Sequence, residues 1–69
     1  MTEAEAIILE FLKVNPESAF GRREISRKAV HRTVYEENPH WADAPLHALL
    51  QKKLIEINEN GHYRFKSSA

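Results

Sequence analysis

The C-terminal third of the chain carries the pattern that most restricts its fold. Apolar and polar residues alternate on both sides of Asn60-Gly61, a dipeptide typical of tight hairpin turns. A two-residue turn at that dipeptide would set every apolar residue opposite a polar one. A register shifted by one residue instead pairs Ile55 with Phe65 and Ile57 with Tyr63, so that all four side chains share one face. The sequence therefore predicts the shifted register.

The shifted register has consequences for the rest of the chain. It leaves a three-residue turn, 59–61, in which Gly61 takes the left-handed conformation that glycine adopts without strain. A lone two-stranded hairpin is only marginally stable in water, so its apolar face must pack on other elements. The chain has 69 residues, which is room for a single small core. We therefore expect a small α+β domain.

The first two predicted helices have recognisable capping signals at their N-termini. The first is predicted at about residues 2–14, where Thr2 opens a capping box and apolar residues recur at three- and four-residue spacing. A short extended piece at 18–20 follows it. The second helix begins after Gly21, its N-cap, and has Glu24 at the third helical position.

The link between the second and third helices is ambiguous. A short separate helical turn and a continuation of the second helix both fit its residues, and Trp41 is expected to pack the link onto the helices. Asn38-Pro39 is typical of a helix start. Pro45 lacks a backbone donor, so the third helix is either distorted there or begins regular hydrogen bonding only after Asp43. We predict one helix at about 39–53, distorted near its start.

Composition limits the function as well as the fold. Ten basic residues balance ten acidic ones, which excludes a domain that is basic overall. No cysteine is present to form disulfides or thiolate metal sites, so a reducing compartment is expected. The apolar runs are too short for a signal peptide or a membrane span. We expect a soluble, cytoplasmic domain that contacts no membrane.

The chain carries no pattern typical of an enzyme. It has no glycine-rich phosphate loop, no cysteine nucleophile and no signature of an activated serine. The four histidines are spread over several elements, and His40 and His47 lie two helical turns apart, about 10 Å along the axis, which is too far to share one ion. We expect no catalytic residue, cofactor, metal site or small-molecule substrate.

The order helix, extended piece, helix, helix, hairpin resembles the winged helix-turn-helix. The residues Phe20 through Ile25 look like the start of that family's second helix. Leu46 through Leu50, followed by 54–57, look like a third helix that runs into the wing, and 60–65 is similar to the wing's return strand. The resemblance covers residues 1–66 and implies a three-helix domain with a C-terminal hairpin wing. Residues 67–69 are predicted to be a frayed end.

The resemblance implies a function and a set of contacts. In that family the third helix enters the major groove of double-stranded DNA, the wing touches the backbone or the minor groove, and the second helix contacts phosphates. It therefore implies a DNA-binding module in transcriptional or related control. Gln51 would read adenine, and His47 would donate to a base or a phosphate. The candidate DNA-binding residues are Arg22, Arg23, Arg27, His40, His47, Gln51, Asn60, His62, Arg64 and Lys66.

The charges are distributed unevenly along the chain. Residues 21–35 carry five basic residues against one acidic residue, and 51–69 carry four against two. Segments 1–20 and 36–50 each carry a net charge of −3. The basic segments coincide with the second helix and the wing, but the exposed side of the third helix offers Asp43 and no Lys or Arg at its centre. Two alternatives therefore stay open: solvated faces with local ion pairs, and a winged helix that binds a protein partner or a second copy instead of DNA.

Overall fold

Residues 1–66 are described by a computed structural model, and within them the chain forms four helices and one antiparallel hairpin. In chain order the elements are α1 (Glu3–Lys13), α2 (Arg22–Lys28), α3 (Arg32–Glu37), α4 (Asp43–Gln51), β1 (Ile55–Ile57) and β2 (Tyr63–Phe65). The small α+β class is confirmed. The expectation of three helices is wrong, because the link between the second and third predicted helices forms a helix of its own, α3. The predicted frayed end at 67–69 lies outside the described residues.

α1 forms where the capping box and the apolar spacing predict it. The Thr2 hydroxyl accepts a hydrogen bond from the Glu5 N–H at 3.2 Å, and the Thr2 N–H faces the Glu5 carboxylate at 3.5 Å. Ile8 and Leu12, one turn apart, are completely buried. Glu5 is only 6% exposed, and its carboxylate forms an ion pair with Lys52. Because Lys52 directly follows α4, this pair joins the first turn of α1 to the C-terminal end of α4.

α2 and α3 are short helices with separate caps. α2 follows Gly21, whose N–H faces the Glu24 carboxylate at 3.5 Å, as the predicted cap requires. α3 follows His31, whose Nδ1 accepts a hydrogen bond from the Thr33 N–H at 3.4 Å. α3 ends at Glu37, and at its C-cap Asn38 the backbone leaves the helical region with φ −149° and ψ 84°. The separate helical turn is therefore confirmed, and a continued second helix is wrong.

α4 begins at Asp43, later than the predicted start at residue 39. Asn38 ends α3 instead of capping α4, and Ala42 takes the N-cap position. The Ala42 carbonyl accepts the first regular hydrogen bond of the helix at 2.9 Å. Pro45 consequently stands at the third helical position, where a backbone N–H would have no acceptor within the helix. The late start thus accommodates the proline without the loss of a hydrogen bond within the helix.

β1 and β2 pair in the shifted register. The paired residues are Ile55 with Phe65, Glu56 with Arg64 and Ile57 with Tyr63. Gly61 has a φ of 78°, which confirms the predicted left-handed glycine in the turn. The extended piece before α2 joins the hairpin through an isolated bridge. The Phe20 N–H donates to the Tyr63 carbonyl at 2.9 Å, and the Tyr63 N–H donates back at 2.7 Å.

The core lies between the helices and one face of the hairpin. Its fully buried apolar residues are Ile8, Leu12, Ile25, Ala42, Leu46, Leu49 and Ile55. Phe11 and Phe20 contact each other at its edge, with ring centroids 4.9 Å apart. Ile57 is 46% exposed, so the core covers the hairpin at Ile55 but not toward the turn. Nowhere in residues 1–66 does a helix combine the length and the apolar character needed to cross a bilayer.

Candidate nucleic-acid interface

One cleft lies between the start of α2 and the start of α4. It has a volume of about 230 Å³ and is lined by Arg22, Arg23, Tyr35, Pro39, His40 and Asp43. Arg22 Nε lies 3.5 Å from one oxygen of the Asp43 carboxylate, and His40 Nδ1 lies 3.7 Å from the other. One carboxylate therefore faces both a guanidinium and an imidazole, and it offsets part of the positive charge of this cleft.

Two long-range hydrogen bonds hold the segment that carries His40. The Ser26 hydroxyl, on α2, donates to the Pro39 carbonyl at 2.6 Å, and the Trp41 indole N–H donates to the Ser26 carbonyl at 2.8 Å. Ser26 is 1% exposed, and Trp41 is half-buried against the core, as predicted for it. The turn before α4 is therefore fixed to α2, which sets the position of His40 relative to the arginines.

A second cleft joins the start of α2 to the tip of the hairpin. It has a volume of about 440 Å³ and is lined by Gly21, Arg22, Arg23, Ile57, Gly61 and Tyr63. The His62 imidazole lies beside Gly21, as the geometry at Gly21 shows. A Cβ placed on Gly21 would stand 3.6 Å from His62 Cδ2. Arg22 and Arg23 therefore line both clefts and lie between the hairpin tip and the start of α4.

The pKa of Glu24 also indicates that the start of α2 lies close to the hairpin tip. The hydrogen bond from the Gly21 N–H, and then the one from Lys28, lower the pKa of Glu24, while burial opposes the shift. A positive charge on His62 would act in the same direction as these hydrogen bonds, although more weakly. The first turn of α2 and the hairpin tip are thus close enough to interact through their charges.

Arg64 lies apart from these two clefts. Its Nε is 2.7 Å from the carboxylate of Glu56, its cross-strand partner, and the pair lines a cleft of about 260 Å³ that also contains Glu17. Because Glu56 is paired with it and Glu17 lines the same cleft, Arg64 offers less positive charge to a phosphate than its sequence position suggests. Lys66 follows β2, is exposed, and donates its backbone N–H to the Leu54 carbonyl at 3.2 Å.

The exposed arginines of α2 differ in their ion pairs. Arg23 and Arg27 lie one turn apart, and among residues 1–66 no carboxylate oxygen comes within 4.0 Å of either. Arg22, in contrast, is paired with Asp43. The two unpaired guanidiniums are consequently the strongest phosphate ligands that α2 offers.

The remaining predicted residues are exposed but do not line the two clefts that Arg22 and Arg23 share, which we call the arginine clefts. His47 and Gln51 lie one turn apart on α4, and Asn60 lies in the hairpin turn.

The hairpin turn depends on Asn58, which was not predicted from the sequence. The Asn58 Oδ1 accepts hydrogen bonds from the N–H groups of Asn60 and His62 at 2.9 and 3.0 Å. An asparagine two residues before Asn60-Gly61 is the signal that could have identified it.

The structure thus brings together four of the predicted residues, Arg22, Arg23, His40 and His62, around the start of α2. Within residues 1–66 no group of three or more His, Cys, Asp or Glu side chains lies close enough to hold a metal ion. No family model, curated protein or solved structure matches the chain.

Proposed function

We propose that the chain is a winged helix-turn-helix that binds double-stranded DNA. The observation that carries this proposal is the position of Arg22 and Arg23, which share one cleft with the start of α4 and another with the hairpin tip. A duplex laid across this face would meet a helix, a basic pair and a hairpin in turn. Two elements that can enter or flank grooves, with basic residues between them, suit the recognition of DNA.

The strand pairing supports the winged-helix assignment. Phe20 pairs with β2, and β2 pairs with β1, so the hairpin is held beside the start of α2. α1, α2 and α4 then correspond to the three helices of the family, with α3 as an added turn between the second and the third. The hairpin corresponds to the wing.

The proposed contacts divide into base reading and phosphate binding. His47 and Gln51, exposed on α4, face the major groove, and Gln51 suits adenine. Arg23 and Arg27 bind phosphates from α2, and His62 at the wing tip reaches the adjacent backbone. A domain of this kind serves transcriptional or related control.

The ion pairs within the domain predict a modest affinity. Asp43 forms an ion pair with Arg22, and Glu56 forms one with Arg64, so two of the four candidate arginines already have anionic partners. If about two or three phosphates are neutralised, the logarithm of the binding constant should fall with the logarithm of salt with a slope of about −2 to −3. Binding should therefore be clear at low salt and weaken visibly at moderate salt.

Titration of the ¹⁵N-labelled protein with a short DNA duplex, followed by NMR at low and moderate salt, tests the proposal. We expect shifts confined to α2, α4 and the wing, and smaller shifts as salt rises. Arg23→Glu should weaken binding several-fold, whereas Lys13→Glu, the same charge change at the exposed end of α1, should leave it nearly unchanged.

Two results would contradict the proposal. Equal losses in the two variants would move the binding face away from α2. Absence of shifts at low salt would favour the competing class, a winged helix that binds only protein.

A further inference from the structure

An apolar groove runs along α1, apart from the clefts described above. It has a volume of about 470 Å³ and is lined by Glu3, Ala6, Ile7, Glu10, Phe11, Val14 and Ala29. None of these residues lines the arginine clefts. We propose that this α1 groove docks an amphipathic helix of a protein partner that carries Lys or Arg beside its apolar stripe. The inference is independent of DNA binding.

The apolar part of the groove has the spacing that a docked helix needs. Ile7, Phe11 and Val14 follow one another at i, i+4 and i+7, which makes a stripe about 10 Å long. Val14 is 64% exposed, and Ile7 and Phe11 are only partly covered. Helices bind such grooves through anchors at the same spacing. Two turns of a partner helix would cover the stripe.

The charges of the groove select the kind of helix. Glu3, Ile7, Glu10 and Val14 alternate carboxylate and apolar side chains along a single line of α1. Among residues 1–66, no basic nitrogen lies within 4.0 Å of the carboxylate of Glu3 or Glu10. A partner that covers the stripe removes water from both carboxylates, which is favourable only if it supplies cations in return. A Lys or Arg next to each apolar anchor meets this requirement.

A second copy of the chain fits the groove less well. In a parallel pairing of two α1 helices, Glu10 would face Glu10 of the other copy across the seam, and like charges would repel. In an antiparallel pairing centred on the line from Glu3 to Val14, Glu10 would face Ile7 and would lose water without gaining a cation. The carboxylates at the contact between two α1 helices therefore disfavour self-association and favour a different, basic partner.

Three synthetic helical peptides provide the probes. The first has leucines at i, i+4, i+7 and i+11 with flanking lysines, the second has the same leucines with flanking glutamates, and the third has the lysines with the leucines scrambled. In NMR titrations of the full chain, the first should shift the amides of the α1 groove and bind about tenfold more tightly than the second. The third should bind no more tightly than the second.

Variants at exposed positions keep the test separate from folding. Glu3→Lys with Glu10→Lys should reverse the preference between the first two peptides, and Val14→Ser should weaken the first without changing the rest of the spectrum. Arg23→Glu should leave peptide binding unchanged, which separates this result from the test of DNA binding.

Equal affinity for the lysine and glutamate peptides, shifts outside the groove, or no shift at millimolar peptide would overturn the proposal. Concentration-dependent shifts of the groove amides in the free protein would also overturn it, because they would identify a second copy as the occupant.

Discussion

The face around the start of α2 and the face along α1 are opposites within a chain of zero net charge. On the first, no carboxylate oxygen of residues 1–66 lies within 4.0 Å of Arg23 or Arg27, and on the second no basic nitrogen of those residues lies within 4.0 Å of Glu3 or Glu10. Each face also exposes a large apolar side chain, Ile57 on the first and Val14 on the second, so it is charge that distinguishes them. The net charge of a small domain therefore says little about its surfaces, because each face can suit a different partner.

Both faces are built on the same core. The Ile8→Ala variant tests whether both of them lose binding when that core is weakened. Ile8 is completely buried, so the truncation loses its transfer free energy and leaves a cavity. We expect the free energy of unfolding, measured in urea, to fall by about 2–5 kcal/mol, a large fraction of the stability of a small domain. DNA binding and peptide binding should weaken together.

The neighbouring variant Ile7→Ala is the control for this prediction. Ile7 is only half-buried, so its loss should lower stability less and should weaken peptide binding alone. If Ile8→Ala disturbed α1 while the spectrum of α2 and the hairpin stayed native, the two faces would belong to separate folding units.

Gly61→Ala should disturb one face only. Gly61 has a φ of 78°, and a Cβ added there would meet no atom within 4 Å, so the cost comes from the backbone alone, about 1–2 kcal/mol. We expect lower stability, faster amide exchange in the hairpin and weaker DNA binding, with peptide binding retained. Gly61→Asn should cost less, because asparagine tolerates this conformation. Equal losses for the two variants would show that the left-handed angle is not the cause.

Asp43→Asn and Glu56→Gln compare the two paired arginines. The first releases Arg22 into the clefts at the start of α2, and one further phosphate contact would steepen the salt slope by about 0.9. The second releases Arg64, which still lies beside Glu17 in a separate cleft, so we expect a smaller gain in affinity. DNA titrations at several salt concentrations measure both changes. A larger gain from Glu56→Gln would place the hairpin strands, and not α2, at the centre of the interface.

Glu5→Gln should have the smallest effect on the comparison of the two faces, because it changes the stability of the whole domain and the dependence of that stability on pH. Hydrogen bonds from Lys52 and Thr2 lower the pKa of Glu5 below its ordinary value of 4.5, although burial opposes the shift. The stabilisation is therefore complete above pH 4.5 and is lost as pH falls through the lower, folded-state pKa. The variant should be less stable than the wild type at neutral pH, and the difference should narrow in acid. Urea unfolding at a series of pH values measures it, and a constant difference would exclude this role.

Local signals predicted most of the fold. Thr2 and Gly21 each act on a residue three positions away, and the left-handed angle of Gly61 is a property of that residue alone. The register of the hairpin followed from the alternation of apolar residues, because a slip by one residue would move them to the wrong face. Such features depend on nearby residues, so one sequence is enough to find them.

The start of α4 depends on residues that are far apart in the chain. Asn38-Pro39 has the local chemistry of a helix start, but the Pro39 carbonyl accepts a hydrogen bond from Ser26 on α2. Trp41 then returns a hydrogen bond to the Ser26 carbonyl. Contacts of this kind outweigh a local preference, and nothing in the sequence around Ser26 indicates them.

The sequence indicated which residues are candidates for the site, but not which of their charges are already paired. The pairing of Glu56 with Arg64 could have been read from the predicted register, since the two are cross-strand neighbours. The pairing of Arg22 with Asp43 could not, because it joins α2 to a helix whose predicted start was wrong. A count of basic residues therefore overestimates the charge that is free to bind phosphate.

The attachment of the hairpin at both ends has a thermodynamic consequence. The bridge from Phe20 to Tyr63 ties β2 to the segment before α2, and only Lys52, Lys53 and Leu54 separate α4 from β1. The entropy of ordering the hairpin is consequently lost during folding and not during an encounter with a ligand. Whatever binds across α4 and the hairpin meets a surface that is already arranged, so that few contacts can suffice for a measurable affinity.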